Sequence, residues 1–143
     1  MMQFKFLEGI AIADVAFEAY GKSLEEAFSN AALAMFEVET NTKKVKPKIK
    51  KKVKVEGEDL QALLFDWLSE LLFLRGIKRM FFSKFNVKIK KLNGRHKLDA
   101  EVYGEKVDRK RHELRVEVKA VSYSQMDVTK KDEKWTLRAI LDV

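Results

Sequence analysis

The sequence of 143 residues contains no cysteine, a single proline, six glycines and two histidines. Without cysteine the chain can form no disulfide, no thiolate nucleophile and no zinc finger, and only His96 and His112 could offer imidazole to a metal. The scarcity of proline and glycine argues against linkers, collagen-like repeats and disordered tails. We therefore expect residues 1–143 to form a single globular domain in which nearly the whole chain is ordered.

Motifs that carry catalysis are also absent. There is no glycine-rich phosphate loop, no HExxH metalloprotease motif and no GxSxG nucleophile elbow. His112 lies among the charged residues 109–113, where we expect a solvent-facing imidazole and not a general base. We therefore expect that the protein is not an enzyme.

Long hydrophobic runs are missing as well. Residues 1–6 do not form the apolar region of a signal peptide, and no stretch approaches the roughly 20 apolar residues that a membrane-spanning helix requires. We expect a cytoplasmic protein.

Positive charge is in excess. The 29 lysines and arginines against 22 acidic residues give a formal charge of +7 and an isoelectric point near 9.5. This balance favours acidic partners such as RNA or an acidic protein face. The charged fraction of 36% is equally typical of a thermophilic source.

Two segments have the hydrophobic spacing of amphipathic helices. The first follows Ser23, which forms a capping box with Glu26, and extends to about Val38. The second follows Asp59 and is expected to end at Gly76. The leucine and aromatic stripe of the second helix is better explained by core packing than by a ligand site.

Alternating apolar and polar residues predict strands in the rest of the chain. The predicted strands are residues 4–7, 15–20, 85–89, 98–102, 114–120 and 135–141, and an Asn93-Gly94 turn joins the third to the fourth. Two helices on one face of a mostly antiparallel sheet are the economical architecture for this order. The predicted fold is therefore an α+β two-layer sandwich.

Two aspartates interrupt apolar strand sequences, Asp14 near the start of the chain and Asp142 at its end. We expect both carboxylates to be partly buried, which costs several kcal/mol, roughly, unless each carboxylate is paired or binds a metal. Val143 is the last residue, so its terminal carboxylate and the Asp142 side chain place several hard oxygens close together, as calcium or magnesium prefers. Taken singly, each aspartate is better explained as a cap at a strand end or turn.

Residues 43–54 form a basic stretch in which valine and isoleucine are interleaved with eight lysines, namely Lys43, Lys44, Lys46, Lys48, Lys50, Lys51, Lys52 and Lys54. As a strand it could follow a phosphate backbone, with an affinity that falls as salt rises. It could equally be an edge strand that lysines and Pro47 protect from aggregation. A metal-independent RNA-binding or chaperone-like module therefore stays open as an alternative function.

Several segments in order resemble the archease family, the small activators of tRNA-splicing RNA ligases of the RtcB type. The resemblance spans almost the entire chain. It is strongest in these segments: Ala13-Asp14-Val15, the stretch from Glu18-Ala19-Tyr20-Gly21-Lys22-Ser23 into the first helix, Glu58-Asp59-Leu60 with the second helix, Tyr103-Gly104-Glu105, Val118-Lys119-Ala120-Val121-Ser122-Tyr123 and Leu141-Asp142-Val143.

The resemblance implies a calcium-type site, or one for another hard divalent cation, in which Asp14 and Asp142 supply side-chain oxygens and Val143 its terminal oxygen. It also implies that Lys119 is needed for activation of the ligase. The family assists the guanylylation and turnover of the ligase, and the chemistry belongs to the ligase. By resemblance, the partner is an RtcB-type ligase, and any contact with RNA is weak or indirect.

The sequence departs from the family pattern at two histidines. The histidine that usually precedes Thr-Ala-Asp is Ala11 here, and the histidine that usually follows Thr-Tyr is Ser124. If either imidazole supports the metal ligands in the family, ion affinity or ion choice is expected to differ in this chain. Activation does not depend on them in principle, because hard cations do not require nitrogen ligands.

Overall fold

A computed structural model describes residues 2–8 and 14–143 of the chain. Within these ranges it contains two α-helices and seven β-strands. Their bounds are β1 (Phe4–Leu7), β2 (Asp14–Gly21), α1 (Leu24–Glu39), β3 (Ile49–Gly57), α2 (Leu60–Lys78), β4 (Met80–Leu92), β5 (Arg95–Lys106), β6 (Ala120–Lys131) and β7 (Lys134–Asp142), with a short 3-10 helix (Thr42–Lys44) before β3.

The strands pair antiparallel and form two sheets, with the orders β1-β2-β7-β6 and β3-β5-β4. The predicted α+β class, with two helices and mostly antiparallel strands, is confirmed. The strands divide between two sheets, where the sequence predicted one. α1 contacts β2 and β4, while α2 contacts β3 and β6. Each helix thus contacts both sheets, and buried side chains of both helices form one core with those of the strands.

The two sheets are built from two similar β-α-β-β units, one inserted in the other. β3, α2 and the β4–β5 hairpin form the inner unit, while β2, α1 and the β6–β7 hairpin form the outer one. In each sheet the last strand of the unit lies between the other two. This nesting makes β2 and β7 neighbours although they come from opposite ends of the sequence.

A glycine joins strand to helix in both units. A Cβ atom added to Gly21 would lie 2.4 Å from the backbone nitrogen of Ala27, and one added to Gly57 would lie 2.7 Å from that of Leu63. The helix caps follow directly: the side chain of Ser23 accepts from the Glu26 N–H, and that of Asp59 from the Ala62 N–H. Only glycine lets the strand approach the first helical turn this closely.

The core confirms the packing role of the α2 stripe. Leu63, Trp67 and Leu71 are fully buried, and the indole nitrogen of Trp67 donates to the Phe28 carbonyl at 3.0 Å. No helix among the described residues has the length and apolar content needed to cross a bilayer.

The prediction that α2 ends at Gly76 is wrong. The helix continues to Lys78 and ends at Arg79, which adopts a left-handed conformation with φ 52° and donates its N–H to the Arg75 carbonyl. Gly76 has open space around it and stays helical. The fully buried Met80 opens β4 immediately afterwards, so the helix must end at Arg79 to place that side chain in the core.

The predicted strand at residues 114–120 is also wrong over most of its length, because β6 begins only at Ala120. The preceding segment crosses the end of α1, where the N–H groups of Arg115 and Val116 donate to the Glu39 and Val38 carbonyls. The side chains of Leu114 and Val116 are 51% and 49% exposed and so do not enter the core. The period-two pattern therefore does not mark a strand on this stretch.

Candidate metal centre and activation site

The two aspartates lie directly opposite each other in the outer unit. In the antiparallel register of β2 and β7, Asp14 pairs with Asp142. Directly opposite side chains point to the same face of a sheet, with Cβ atoms about 4.5–5.5 Å apart. Their carboxylates can therefore reach one small ion together.

The aspartates face away from the helices. The neighbouring Leu141 is fully buried in the core, so Asp142 points to the opposite side of the sheet because side chains alternate along a strand. Asp14 is half-buried, as expected, but Asp142 is exposed, which corrects the prediction that both carboxylates are partly buried. On the same outer face, the next residues Ala16 and Ile140 are buried.

The backbone of Lys119 reaches Asp142 from a third element. Its backbone N–H donates to the Asp142 carbonyl at 2.7 Å, and the following residue Ala120 pairs with Asp142 in the β6–β7 register. Lys119 is exposed, so its amine is accessible to a partner molecule. Residues from β2, from β7 and from the entry to β6 therefore meet at one end of the four-stranded sheet.

The chemistry of this end of the sheet fits a hard cation. Two carboxylates directly opposite each other repel, and a divalent ion would remove that repulsion while using oxygen ligands. Val143 follows Asp142 and is half-buried, with its side chain packed on the core. Within residues 2–8 and 14–143 no group of three or more His, Cys, Asp or Glu side chains is placed to hold a metal ion, so main-chain oxygens and water would have to complete a coordination shell.

An irregularity in β6 was not foreseen from the sequence. The β6–β7 register breaks between Ser122 and Asp127, and Gln125 has φ 58°. Ser124, which stands at the position of a family histidine, is exposed in this bulge, and its N–H donates to the Ser122 hydroxyl at 3.1 Å. Ala11, the other replacement, lies outside the described residues.

The basic stretch forms a strand later than predicted, because residues 42–44 are a 3-10 turn and β3 runs from Ile49 to Gly57. β3 is an edge strand of its sheet. Its lysines face acidic residues of the central strand, with Lys50 3.2 Å from Glu101 and Lys54 3.8 Å from Asp99. The exposed face therefore mixes both signs of charge.

A second charged cluster is buried, and it corrects the expectation for His112. The His112 imidazole is buried and lies 2.9 Å from the Glu105 carboxylate through Nε2, while its Nδ1 accepts from the Asp108 N–H. Nε2 therefore carries the proton and donates to Glu105. Glu105 also accepts from the Lys46 N–H at 2.7 Å and pairs with Arg111.

This arrangement sets the ionisation of Glu105. Burial by itself would raise the pKa of the carboxyl, but the hydrogen bonds from Arg111, the Lys46 N–H and His112 outweigh it and lower the pKa to about 2. The cluster ties the loop after β5 to the segment before β3. From the sequence, Glu105 stands out only within the Tyr103-Gly104-Glu105 resemblance and has no assigned role, because nothing in the local pattern distinguishes a buried glutamate from a solvated one.

The fold and the site together define a small α+β protein of two nested β-α-β-β units, in which paired aspartates meet an exposed lysine at one end of a sheet. Residues 4–143 match the model of the Archease protein family (MTH1598/TM1083), and the chain belongs to this family. It is 44% identical to "Protein archease" of Pyrococcus abyssi over 132 residues, which cover 92% of this chain and 93% of that protein.

Two solved structures are similar. The solution structure of Methanobacterium thermoautotrophicum protein 1598 aligns with a TM-score of 0.88 at 43% identity, covering 100% of both chains. The crystal structure of an archease from Thermotoga maritima, described as a possible chaperone, aligns with a TM-score of 0.60 at 19% identity over 96% of this chain and 97% of that one. The second likeness concerns the fold alone.

Proposed function

We propose that this protein is a non-enzymatic activator of a tRNA-splicing RNA ligase of the RtcB type, and that it promotes guanylylation and turnover of the ligase. Membership of the archease family makes this role the first to test. The observation that carries the proposal is the convergence of Asp14, Asp142 and Lys119 from three separate elements.

In this proposal Asp14, Asp142 and the terminal oxygen of Val143 hold a calcium-type cation. The ion would supply the positive charge that offsets the repulsion between the two carboxylates. The chain itself fixes the geometry, because the β2–β7 register aligns the aspartates and the Lys119 N–H holds the Asp142 backbone. Lys119 then presents its ammonium group to an anionic group of the ligase or its nucleotide.

The site suits assistance better than independent catalysis. His112, one of the two histidines, is buried against Glu105 and cannot serve as a general base at the aspartate pair. The site instead offers two carboxylates and an exposed lysine in fixed positions, to which a partner enzyme can bind.

Reconstitution tests the proposal. RNA ligation and ligase guanylylation are measured with and without the wild-type protein, and with the Asp14→Ala, Asp142→Ala and Lys119→Ala variants. We expect stimulation by the wild type and loss of stimulation in all three variants. Asp127→Ala is the matched control, because Asp127 is an exposed aspartate of β6 beyond the bulge. An unchanged ligation rate at stoichiometric wild-type protein would reject the activator role.

A second candidate, metal-independent RNA binding, is favoured by one observation. On the outer face of the three-stranded sheet, exposed lysines on β3 and β4 flank the central strand β5, as Lys52 and Lys88 do beside Glu101 and Asp99. Such a face can contact phosphates without reading bases. The test is tRNA binding as a function of salt.

Under this second candidate, Lys52→Ala and Lys88→Ala weaken tRNA binding and reduce its salt dependence, whereas Lys5→Ala on the other sheet does not. Chelator should have no effect on binding. Binding that requires calcium, or that is equally weak in all three lysine variants and the wild type, would exclude this candidate.

A further inference from the structure

The segment that leads to Lys119 is held by contacts with the two helices and not by a sheet. Residues 113–119 belong to no strand, and β6 starts only at Ala120. The backbone of Val118 is held at both polar atoms: its N–H donates to the Glu39 carboxylate at 2.9 Å, and its carbonyl accepts from the Arg75 guanidinium at 3.4 Å. The Val118 side chain is fully buried.

Glu39 and Arg75 also form an ion pair with each other. Glu39 ends α1 and its side chain is only 3% exposed, while Arg75 comes from the last turns of α2. Burial raises the pKa of the Glu39 carboxyl, and the Val118 N–H and Arg75 oppose that rise. Among the described residues the second oxygen of Glu39 is buried without a hydrogen-bond partner.

Burying an ion pair costs free energy, because both charges lose their hydration. Apolar side chains of similar volume often replace a buried ion pair without loss of stability, because they avoid the desolvation of two charges. Apolar side chains cannot, however, hold an N–H and a carbonyl of a neighbouring backbone. The polar groups of this pair therefore hold the Val118 backbone by hydrogen bonds, which apolar packing could not do.

We propose that Glu39 and Arg75 are positioning residues that set Lys119 beside Asp142. They fix the Val118 backbone at the C-terminal ends of the two helices. The next residue, Lys119, donates its N–H to the Asp142 carbonyl at 2.7 Å, so a shift of Val118 moves Lys119 relative to the aspartate pair. The consequence for ligase activation rests on the proposed function, whereas the positioning itself does not.

The same segment offers a matched control. Arg115 pairs with Glu37 at 2.6 Å, and Glu37 lies on α1 two residues before Glu39. This pair holds the segment further from Lys119, and its groups are more exposed, with 31% and 22% of the side-chain surface accessible. Glu37→Gln removes an ion pair between the same two parts of the chain and should leave Lys119 in place.

The test compares the paired variant E39L/R75M with Glu37→Gln and the wild type. The paired variant leaves no unpaired buried charge, so it should still unfold cooperatively, at a temperature lowered only by the loss of the two Val118 hydrogen bonds. Amide hydrogen exchange at Lys119 should nevertheless become about tenfold faster, because the hydrogen bond to Asp142 is no longer held in register. Glu37→Gln should show wild-type exchange at Lys119.

Ligation assays then test the functional consequence. Stimulation by E39L/R75M should fall to the level of Lys119→Ala, and combining the paired variant with Lys119→Ala should cause no further loss. Additive losses would mean that the ion pair acts independently of Lys119 and would overturn the proposal. If E39L/R75M fails to fold, Glu39→Gln, which keeps the side-chain shape, replaces it in the same measurements.

The exchange measurement separates the two proposals. Unchanged Lys119 exchange in a folded variant overturns the positioning role, whatever the ligase does. A wild-type protein that does not stimulate the ligase overturns the proposed function, and the Lys119 exchange rates still decide the positioning role.

Discussion

Asp14, the first residue of β2, and Asp142, the last residue of β7, are direct cross-strand neighbours on the outer face of the four-stranded sheet. This pairing by itself lowers the stability of the fold, since like charges directly opposite each other in a sheet are destabilising. The register therefore concentrates negative charge where two ends of the chain meet. A divalent cation would turn this repulsion into attraction.

The repulsion predicts that replacing either aspartate stabilises the protein without metal and makes it less stable than the wild type when calcium is bound. Without metal, Asp14→Asn and Asp142→Asn should each raise the free energy of unfolding by about 0.2–1 kcal/mol, because one of two facing charges is removed. With calcium in excess, the wild type should gain about 2.7 kcal/mol at a concentration 100 times the dissociation constant, and the variants should gain little. Urea unfolding in chelator and in calcium measures both effects.

Asp127→Asn serves as the control, since Asp127 faces Arg138 across the β6–β7 pair and no carboxylate. Its calcium response should equal that of the wild type. If the two site variants lose stability in chelator, the aspartates do not repel each other and the paired-carboxylate site is incorrect.

The two glycines that precede the helices should tolerate no side chain. Gly21→Ala and Gly57→Ala would place a Cβ atom 2.4 Å and 2.7 Å from helix backbone nitrogens, which cannot move without shifting the first turn. We expect each variant to lose about 1–3 kcal/mol of unfolding free energy, the usual cost of overpacking. Thermal denaturation of the purified variants measures this loss.

Gly76→Ala is the matched control. Gly76 lies inside α2 with nothing within 4 Å of an added Cβ atom, so alanine should stabilise the helix by about 0.5–1 kcal/mol. A destabilised Gly76→Ala, or unchanged Gly21→Ala and Gly57→Ala variants, would contradict the close strand–helix contacts described above.

Local chemistry made part of this fold predictable. Ser23 and Asp59 cap their helices, and Asn93 and Gly94 make the tight turn with φ 54° and 76°, since these residues act through their own backbone neighbours. Two predictions were wrong, the end of α2 and the strand at residues 114–120. The burial of Met80 sets the first and the crossing over α1 sets the second, and both are tertiary effects. Sequence spacing cannot report them.

The candidate site likewise has features that the local sequence predicts and features that depend on tertiary structure. Asp14 and Asp142 attract notice in the sequence because each interrupts an apolar run, but their pairing follows from the insertion of one β-α-β-β unit into the other. Nothing in the sequence indicated the burial of Glu39 or Glu105. A glutamate is normally solvated, and these two are buried because Arg75 pairs with Glu39 and Arg111 pairs with Glu105.

The buried Glu105 predicts a pH dependence of stability. Its pKa is lowered from 4.5 to about 2 in the folded protein, so folding favours the ionised carboxylate. A lowered pKa contributes stability that is complete above the unfolded-state value and disappears as the pH falls towards the folded-state value. The contribution of Glu105 should therefore be constant above about pH 5 and vanish between pH 4.5 and about 2.

Glu105→Gln isolates this contribution. At neutral pH the variant should lose about 1–3 kcal/mol of unfolding free energy, because the buried His112 donor loses its charged acceptor and Arg111 loses its ion pair. The difference from the wild type should shrink on acidification, since the wild-type carboxyl becomes neutral too.

Glu101→Gln, on the same strand but with a 37% exposed side chain paired to Lys50, should show no measurable difference at any pH. A Glu105→Gln deficit that persists undiminished near pH 2 would mean that the loss comes from packing and not from the charge of Glu105.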